Sequence, residues 1–181
     1  QLCTKPALIP QALLHYERGI CAEDAFSAHG KRAFIMSHVL DMTGAPIVLV
    51  SAVPVLRSMG YEVLVLGPSD GGSLHLFLDA GASVITRSSC RNVSDAWGMA
   101  LCADFVIANT VVMARAVRAL SGTAVPVLWW LHDAFAGYPH IAHQIPTQLG
   151  ENVRVYSVGS HAANAMHAVR PEFEIRPLIY G

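Results

Sequence analysis

Apolar residues in this chain fall into short continuous runs, not into one long stripe or a strict alternation. Ala33–Ser37, Tyr61–Leu66, Ser83–Ile85, Asp104–Ala108, Pro126–Leu131 and Val153–Val158 are such runs, with a shorter one at Phe173–Ile179. Gly, Pro, Asn, Asp or Ser lie at their borders. Runs of this length and flanking predict strands buried on both faces, as in the interior of a parallel sheet. The segments between them carry helix signals. Helices are expected after Gly44, over Ser73–Ala80, Asp95–Cys102 and Val111–Leu120, from about His140 to Leu149, and, with Ser160 as its cap, to about Val169. Six or seven strands alternating with helices predict an α/β fold, a three-layer αβα Rossmann-like parallel sheet.

The segment after Gly44 is the ambiguous one. Ile47-Val48-Leu49-Val50 is rich in β-branched residues and suits a strand on propensity. Helix is favoured by Pro46 as a first helical residue, by Leu49, Val53 and Leu56 at helical spacing, and by Gly60 as a stop. Pro54 predicts a kink within it. Residues 1–31 show no strand pattern and read as a helical leader or a remnant of a preceding region. The domain proper is then 32–181.

Composition narrows the function classes. With 53% hydrophobic residues the chain can bury a sheet on both faces. A formal net charge of -1 argues against nucleic acid as a partner. No apolar run spans a bilayer and no secretory leader opens the chain. Cys3, Cys21, Cys90 and Cys102 form no CxxC pair, which suits free thiols in a reducing cytoplasm. His140 and His143 lack a third ligand, so no metal site is expected.

Strong nucleotide signatures are missing. There is no GxxxxGK[ST] loop, no GxGxxG after the first strand and no acid at the end of the second, where Gly67 stands. Without a GxSxG elbow, Ser37-His38 and His132-Asp133 do not read as a hydrolase triad. What remains is a set of polar residues at the ends of the strands: Ser37, His38, Asp70, Asn109, His132, Asp133 and Gly159-Ser160. Parallel strands bring their ends to one edge, so these residues converge there. Thr43-Gly44-Ala45 adds a loop at a helix start, where backbone N–H groups and the helix dipole favour an anion. A glycine that only serves the tight turn is the equal alternative. Trp129 and Trp130 should point to opposite faces of the sheet.

Met36–Gly71 resembles the opening strand–helix–strand of glycosyltransferase family 4, with its Gly-Ala-Pro loop and Pro-x-Asp-Gly turn. The likeness continues through Asp104–Val112 (DFVIANTVV), Val125–Phe135 (VPVLWWLHDAF) and Val155–Met166 (VYSVGSHAANAM). Together these stretches span most of residues 31–181. The resemblance implies one half of a GT-B fold, the N-terminal half of a retaining glycosyltransferase. Such an enzyme moves a sugar from a nucleotide-diphosphate donor to a carbohydrate or other hydroxyl acceptor.

The same resemblance implies roles. His132 lies beside the donor sugar as the catalytic residue. Thr43, Gly44 and Ala45 face the donor diphosphate. Ser37, His38, Asp70, Asn109, Asp133 and Ser160 line the acceptor side, with Asp133 also able to hold His132. The nucleotide-binding half of the family is not found in these residues, and Ile175–Gly181 resembles the approach to the hinge before it. The chain is therefore expected to be inactive alone and to pair with its own C-terminal domain. Expected partners are the nucleotide sugar and its acceptor, with no bound cofactor in this chain, a cytoplasmic location and peripheral membrane association through the parent protein. A nucleotide-sugar epimerase of similar architecture and a non-catalytic ligand-binding domain are the rival readings.

Overall fold

The structure, a computed structural model, describes residues 18–20, 30–88, 90 and 97–179. In chain order the main elements are β1 (Arg18–Ile20), β2 (Lys31–Met36), α1 (Gly44–Ser58), β3 (Tyr61–Gly67), α2 (Leu74–Asp79) and β4 (Ser83–Thr86). Then follow β5 (Phe105–Asn109), α3 (Ala114–Leu120), β6 (Val127–Leu131), α4 (Tyr138–Ile141), β7 (Val153–Ser157), α5 (Ser160–His167) and β8 (Ile175–Pro177). The strands form one sheet in the order β1-β4-β3-β2-β5-β6-β7-β8. From β4 to β8 all neighbours run parallel. β1 joins the β4 edge antiparallel.

Side chains alternate cleanly between two cores. Ala33 and Ile35 of β2, Val63 and Val65 of β3, Ile107 of β5 and Trp130 of β6 face α1 and α2. Phe34, Met36, Leu64, Leu66, Ala108 and Trp129 face the opposite layer, which contains α3, α4 and α5. The two tryptophans thus occupy opposite faces, as their adjacency requires. Helices on both faces make this the expected three-layer Rossmann-like arrangement. The continuous apolar runs are explained by it, since both faces of each central strand are covered.

The segment after Gly44 is helical despite its β-branched residues. Its buried positions, Pro46, Val48, Leu49, Val53 and Leu56, form one face against the sheet. Burying such side chains is worth about 1.5–3 kcal/mol each, more than the few tenths per residue that β-branching costs a helix. Pro46 is the third helical residue, not the first, because Thr43 is the N-cap. Pro54 is accommodated inside the helix. Gly60, with φ 85, supplies the left-handed stop.

Several boundaries differ from the sequence reading. Arg18–Ile20 is a strand inside the stretch read as strandless. The rest of that leader, residues 1–17 and 21–29, lies outside the described residues, as do residues 95–96 of the helix expected over Asp95–Cys102. Met99–Cys102 of that helix is a 3-10 turn. The helix expected from His140 begins earlier, through a 3-10 turn at Phe135–Gly137, and ends at Gln144. Arg170 fixes its exit by donating to the carbonyls of Ile145 (2.8 Å) and Pro146 (2.9 Å). Ser160 is the first residue of α5 and not its cap. Gly159 takes the cap position.

Candidate functional site

The sheet reverses its winding between β2 and β5. Strands β3 and β4 extend to one side of β2, and β6, β7 and β8 extend to the other side of β5. At such a switch point the connections leave in opposite directions and open a crevice at the carboxyl ends of the strands. Ser37 and His38 follow β2, Asn109 ends β5, His132 and Asp133 follow β6, and Gly159-Ser160 follows β7. The Gly44 loop follows β2 on the same edge, so the loop and His132 share one rim of the sheet. Asp70 follows β3 in a loop that packs on the loop after β2. There, Ser73 N–H donates to the Leu40 carbonyl at 2.9 Å. Gly71 is obligatory for this approach, since a Cβ would stand 2.1 Å from that same carbonyl oxygen.

Asn109 is wholly buried, at 0% exposure, yet neither atom of its amide has a hydrogen-bond partner among the described residues. In register it pairs with Trp130, and it lies two residues beyond Ile107, on the α1 face. His132 continues that face. Its ring sits 4.9 Å from the Trp130 ring, and its Nε2 is buried without a partner among the described residues. Burial first, and the nearby His38 second, push the His132 pKa down to about 4. The ring is therefore neutral at pH 7, with one nitrogen to donate and one to accept.

A second polar group lies on the opposite face. Asp133 does not hold the His132 ring. Its carboxylate accepts the Val111 N–H at 2.6 Å. Burial raises its pKa, and backbone N–H groups, Val111 first, oppose the rise. Tyr138 from α4 is fully buried, and its hydroxyl has no partner among the described residues. Burial and the neighbouring Asp133 charge raise its pKa. Thr110 adopts φ 70 and ψ 166, a region almost reserved for glycine that costs of order 1–3 kcal/mol. Its hydroxyl is also buried and unpaired among the described residues.

Ser37, Thr43 and Gly44 lie between the end of β2 and the start of α1. The Ser37 hydroxyl is buried and donates to the Val39 carbonyl at 2.6 Å, which shapes the turn after β2. Thr43 is exposed and bonds through its hydroxyl and its N–H to Asp41. Gly44 is exposed, and a Cβ there would meet nothing within 4 Å. The first turn of α1 contains no acidic residue. Tyr138 and the strained Thr110 backbone escaped the sequence reading. A lone tyrosine after Gly137 carries no pattern, and a dihedral angle leaves no mark on a threonine.

A concavity of about 410 Å³ lies elsewhere, lined by Leu149, Arg154, Glu172, Phe173 and Arg176 among others. Arg176 meets Glu174 there at 2.9 Å, and Arg154 donates to the backbone carbonyls of Glu151 and Val153. The switch point is the better candidate because the amide of Asn109 and the Nε2 of His132 are buried there without a partner among the described residues. Among the described residues no three His, Cys, Asp or Glu side chains are grouped as a metal would require. No helix of the described residues is long and apolar enough to cross a membrane.

Comparison with known proteins accords with this geometry. The model of glycosyl-transferase family 4 matches residues 29–172. Among solved structures, Anabaena HepE, crystallised in complex with UDP and glucose, superimposes with a TM-score of 0.61 at 17% identity. The match covers 84% of this chain and 45% of the HepE chain, so the chain spans less than half the length of that relative. Among curated proteins none matches the chain.

Proposed function

The chain belongs to glycosyltransferase family 4, and on that premise we propose that it is the acceptor-side lobe of a retaining enzyme that uses a nucleotide-diphosphate sugar. The observation that carries this reading is the buried amide of Asn109, unpaired among the described residues, on the same face of the sheet as the neutral ring of His132. A buried amide without partners costs about 1–3 kcal/mol, so its persistence calls for a polar ligand or an ordered water. A sugar hydroxyl both donates and accepts, which is what an amide and a neutral imidazole together offer.

Each group then has a task. The exposed amino end of α1, with Gly44 and Ala45, presents N–H groups to the leaving diphosphate and stabilises its growing charge. His132 bonds a hydroxyl of the transferring sugar. Asn109 and His38 orient the acceptor. The family's retaining chemistry leaves the acceptor proton to the departing phosphate, so no general base is assigned to this chain. A second lobe supplies most contacts to the nucleotide. Met42 and Phe135, exposed at 61% and 59% on loops of this edge, support a surface that the lobe covers. Without that lobe the chain is inactive.

The test is turnover by the full-length protein with a panel of nucleotide sugars, with products identified by mass. A transferred glycoside is expected, and His132→Ala should lower transfer at least about 100-fold while the fold is kept. Release of an epimer of the donor, or wild-type transfer by His132→Ala, would overturn the reading.

A further inference from the structure

The strained turn after β5 is held from three sides by the end of β6. Thr110 N–H donates to the Trp130 carbonyl at 2.8 Å. The Thr110 carbonyl accepts the buried indole N–H of Trp129 at 2.8 Å. Val111 N–H, on the far side of the same peptide unit, donates to Asp133 at 2.6 Å. The peptide joining Thr110 to Val111 is thus gripped at both its oxygen and its nitrogen. A β-branched residue at φ 70 and ψ 166 relaxes toward negative φ unless such contacts over-determine it.

The residue immediately before Thr110 is Asn109, whose amide has no partner among the described residues. Rotation at Thr110 would let the end of β5 shift. Asn109 could then turn to a backbone partner and satisfy itself. We infer that Trp129 and Asp133 are positioning residues: by clamping the Thr110–Val111 peptide they hold the Asn109 amide unpaired on the face that carries His132, ready for a sugar hydroxyl. The inference rests on the glycosyltransferase reading for its ligand but not for its geometry. It also assigns work to two residues on the face of the sheet opposite the ligand. Their conservative replacements differ in a telling way. Asp133→Asn keeps a carbonyl oxygen for the Val111 N–H. Asp133→Ala does not. Trp129→Phe keeps a buried ring but loses the N–H.

The experiment uses the full-length protein. Hydrogen exchange of the Val111 amide and the side-chain amide resonance of Asn109 are followed by NMR, and UDP release from UDP-glucose is followed kinetically. Asp133→Ala and Trp129→Phe should each speed Val111 exchange at least about 10-fold relative to the β6 core, move the Asn109 resonance, and lower kcat/KM by about 10- to 100-fold. Asp133→Asn should restore most of each effect. Should Asp133→Ala fail to fold, Trp129→Phe carries the test. Slower melting alone, with Val111 exchange and the Asn109 resonance unchanged, would overturn the clamp. If the wild type turns over no nucleotide sugar, the enzymatic reading falls while the exchange and resonance results still decide the clamp.

Discussion

The two edges of the sheet treat an asparagine in opposite ways. At the amino edge, Asn152 donates to the carbonyls of Leu120 (2.9 Å) and Val125 (2.7 Å) and accepts the Gly122 N–H at 2.8 Å. Nearby, Ser121 accepts the Gly150 N–H at 2.6 Å, and Asp104 accepts the Arg32 N–H at 2.7 Å. At the carboxyl edge, Asn109 is more deeply buried and its side-chain amide bonds to nothing among the described residues. The same side chain fastens loops together at one end and is kept free at the other. Matching is not complete at the amino edge, where Arg32 Nε is buried without a partner among the described residues. Even so, the concentration of unmatched groups at the switch point separates a structural edge from a binding edge on physical grounds alone.

The largest expected contrast comes from exchanging these asparagines. Asn152→Ala strands two carbonyls and one N–H and should cost on the order of 3 kcal/mol, read as a fall in the denaturation midpoint with turnover per folded molecule intact. Asn109→Leu removes an unpaired amide from an apolar setting. Stability should hold or rise by about 1 kcal/mol while turnover collapses. A destabilised Asn109→Leu variant would mean that this amide is already satisfied and would erase the contrast.

A pair of glycines gives a smaller effect of the same kind. A Cβ at Gly150 would stand 2.4 Å from the Gly122 nitrogen, whereas one at Gly44 meets open space. Gly150→Ala should cost about 1–3 kcal/mol by forcing two backbones apart. Gly44→Val should change stability by less than about 1 kcal/mol and abolish transfer, since the lost space belongs to the ligand. Equal melting of both variants would sink the distinction.

The smallest effect is a pH signature of His132. Its folded pKa of about 4 lies below the ordinary 6.5. Between those values the unfolded chain binds a proton that the folded chain refuses. This group's contribution is therefore complete above pH 6.5 and is lost as pH falls toward 4. Asp133, with a raised pKa, works in the opposite sense, so the His132 ring resonance is the clean readout. It should not titrate above about pH 5.

Much of the architecture was legible in the order of residues. Apolar runs marked the central strands because both faces of those strands are covered. Adjacent tryptophans could not share a face, and Leu49, Val53 and Leu56 marked the buried side of α1. Strand-end polar residues marked the edge at which the carboxyl ends of β2, β5, β6 and β7 lie. Features set by distant partners were not legible. Arg18–Ile20 becomes a strand only because β4 offers a free edge, pairing Gly19 with Ile85. The helix after Phe135 starts early because Tyr138 is drawn into the core, and it stops where Arg170 gathers its exit carbonyls. The hub at Asn152 joins a loop some thirty residues away, with sequence separations of 27 to 32, which no local pattern announces. The bond from Val111 to Asp133, across a sequence separation of 22, is likewise announced by no local pattern.

The central position of β2 has a consequence for how the molecule comes into being. Its second neighbour arrives late: the bond joining Arg32 to Asp104 bridges a sequence separation of 72. Closing so long a span slows folding and leaves a hydrophobic seam open meanwhile. His38, Asn109 and His132 can meet only after that seam has closed. Occupancy of the crevice by any ligand would therefore reward only chains whose assembly has finished, making that ligand an inspector of the fold it depends on.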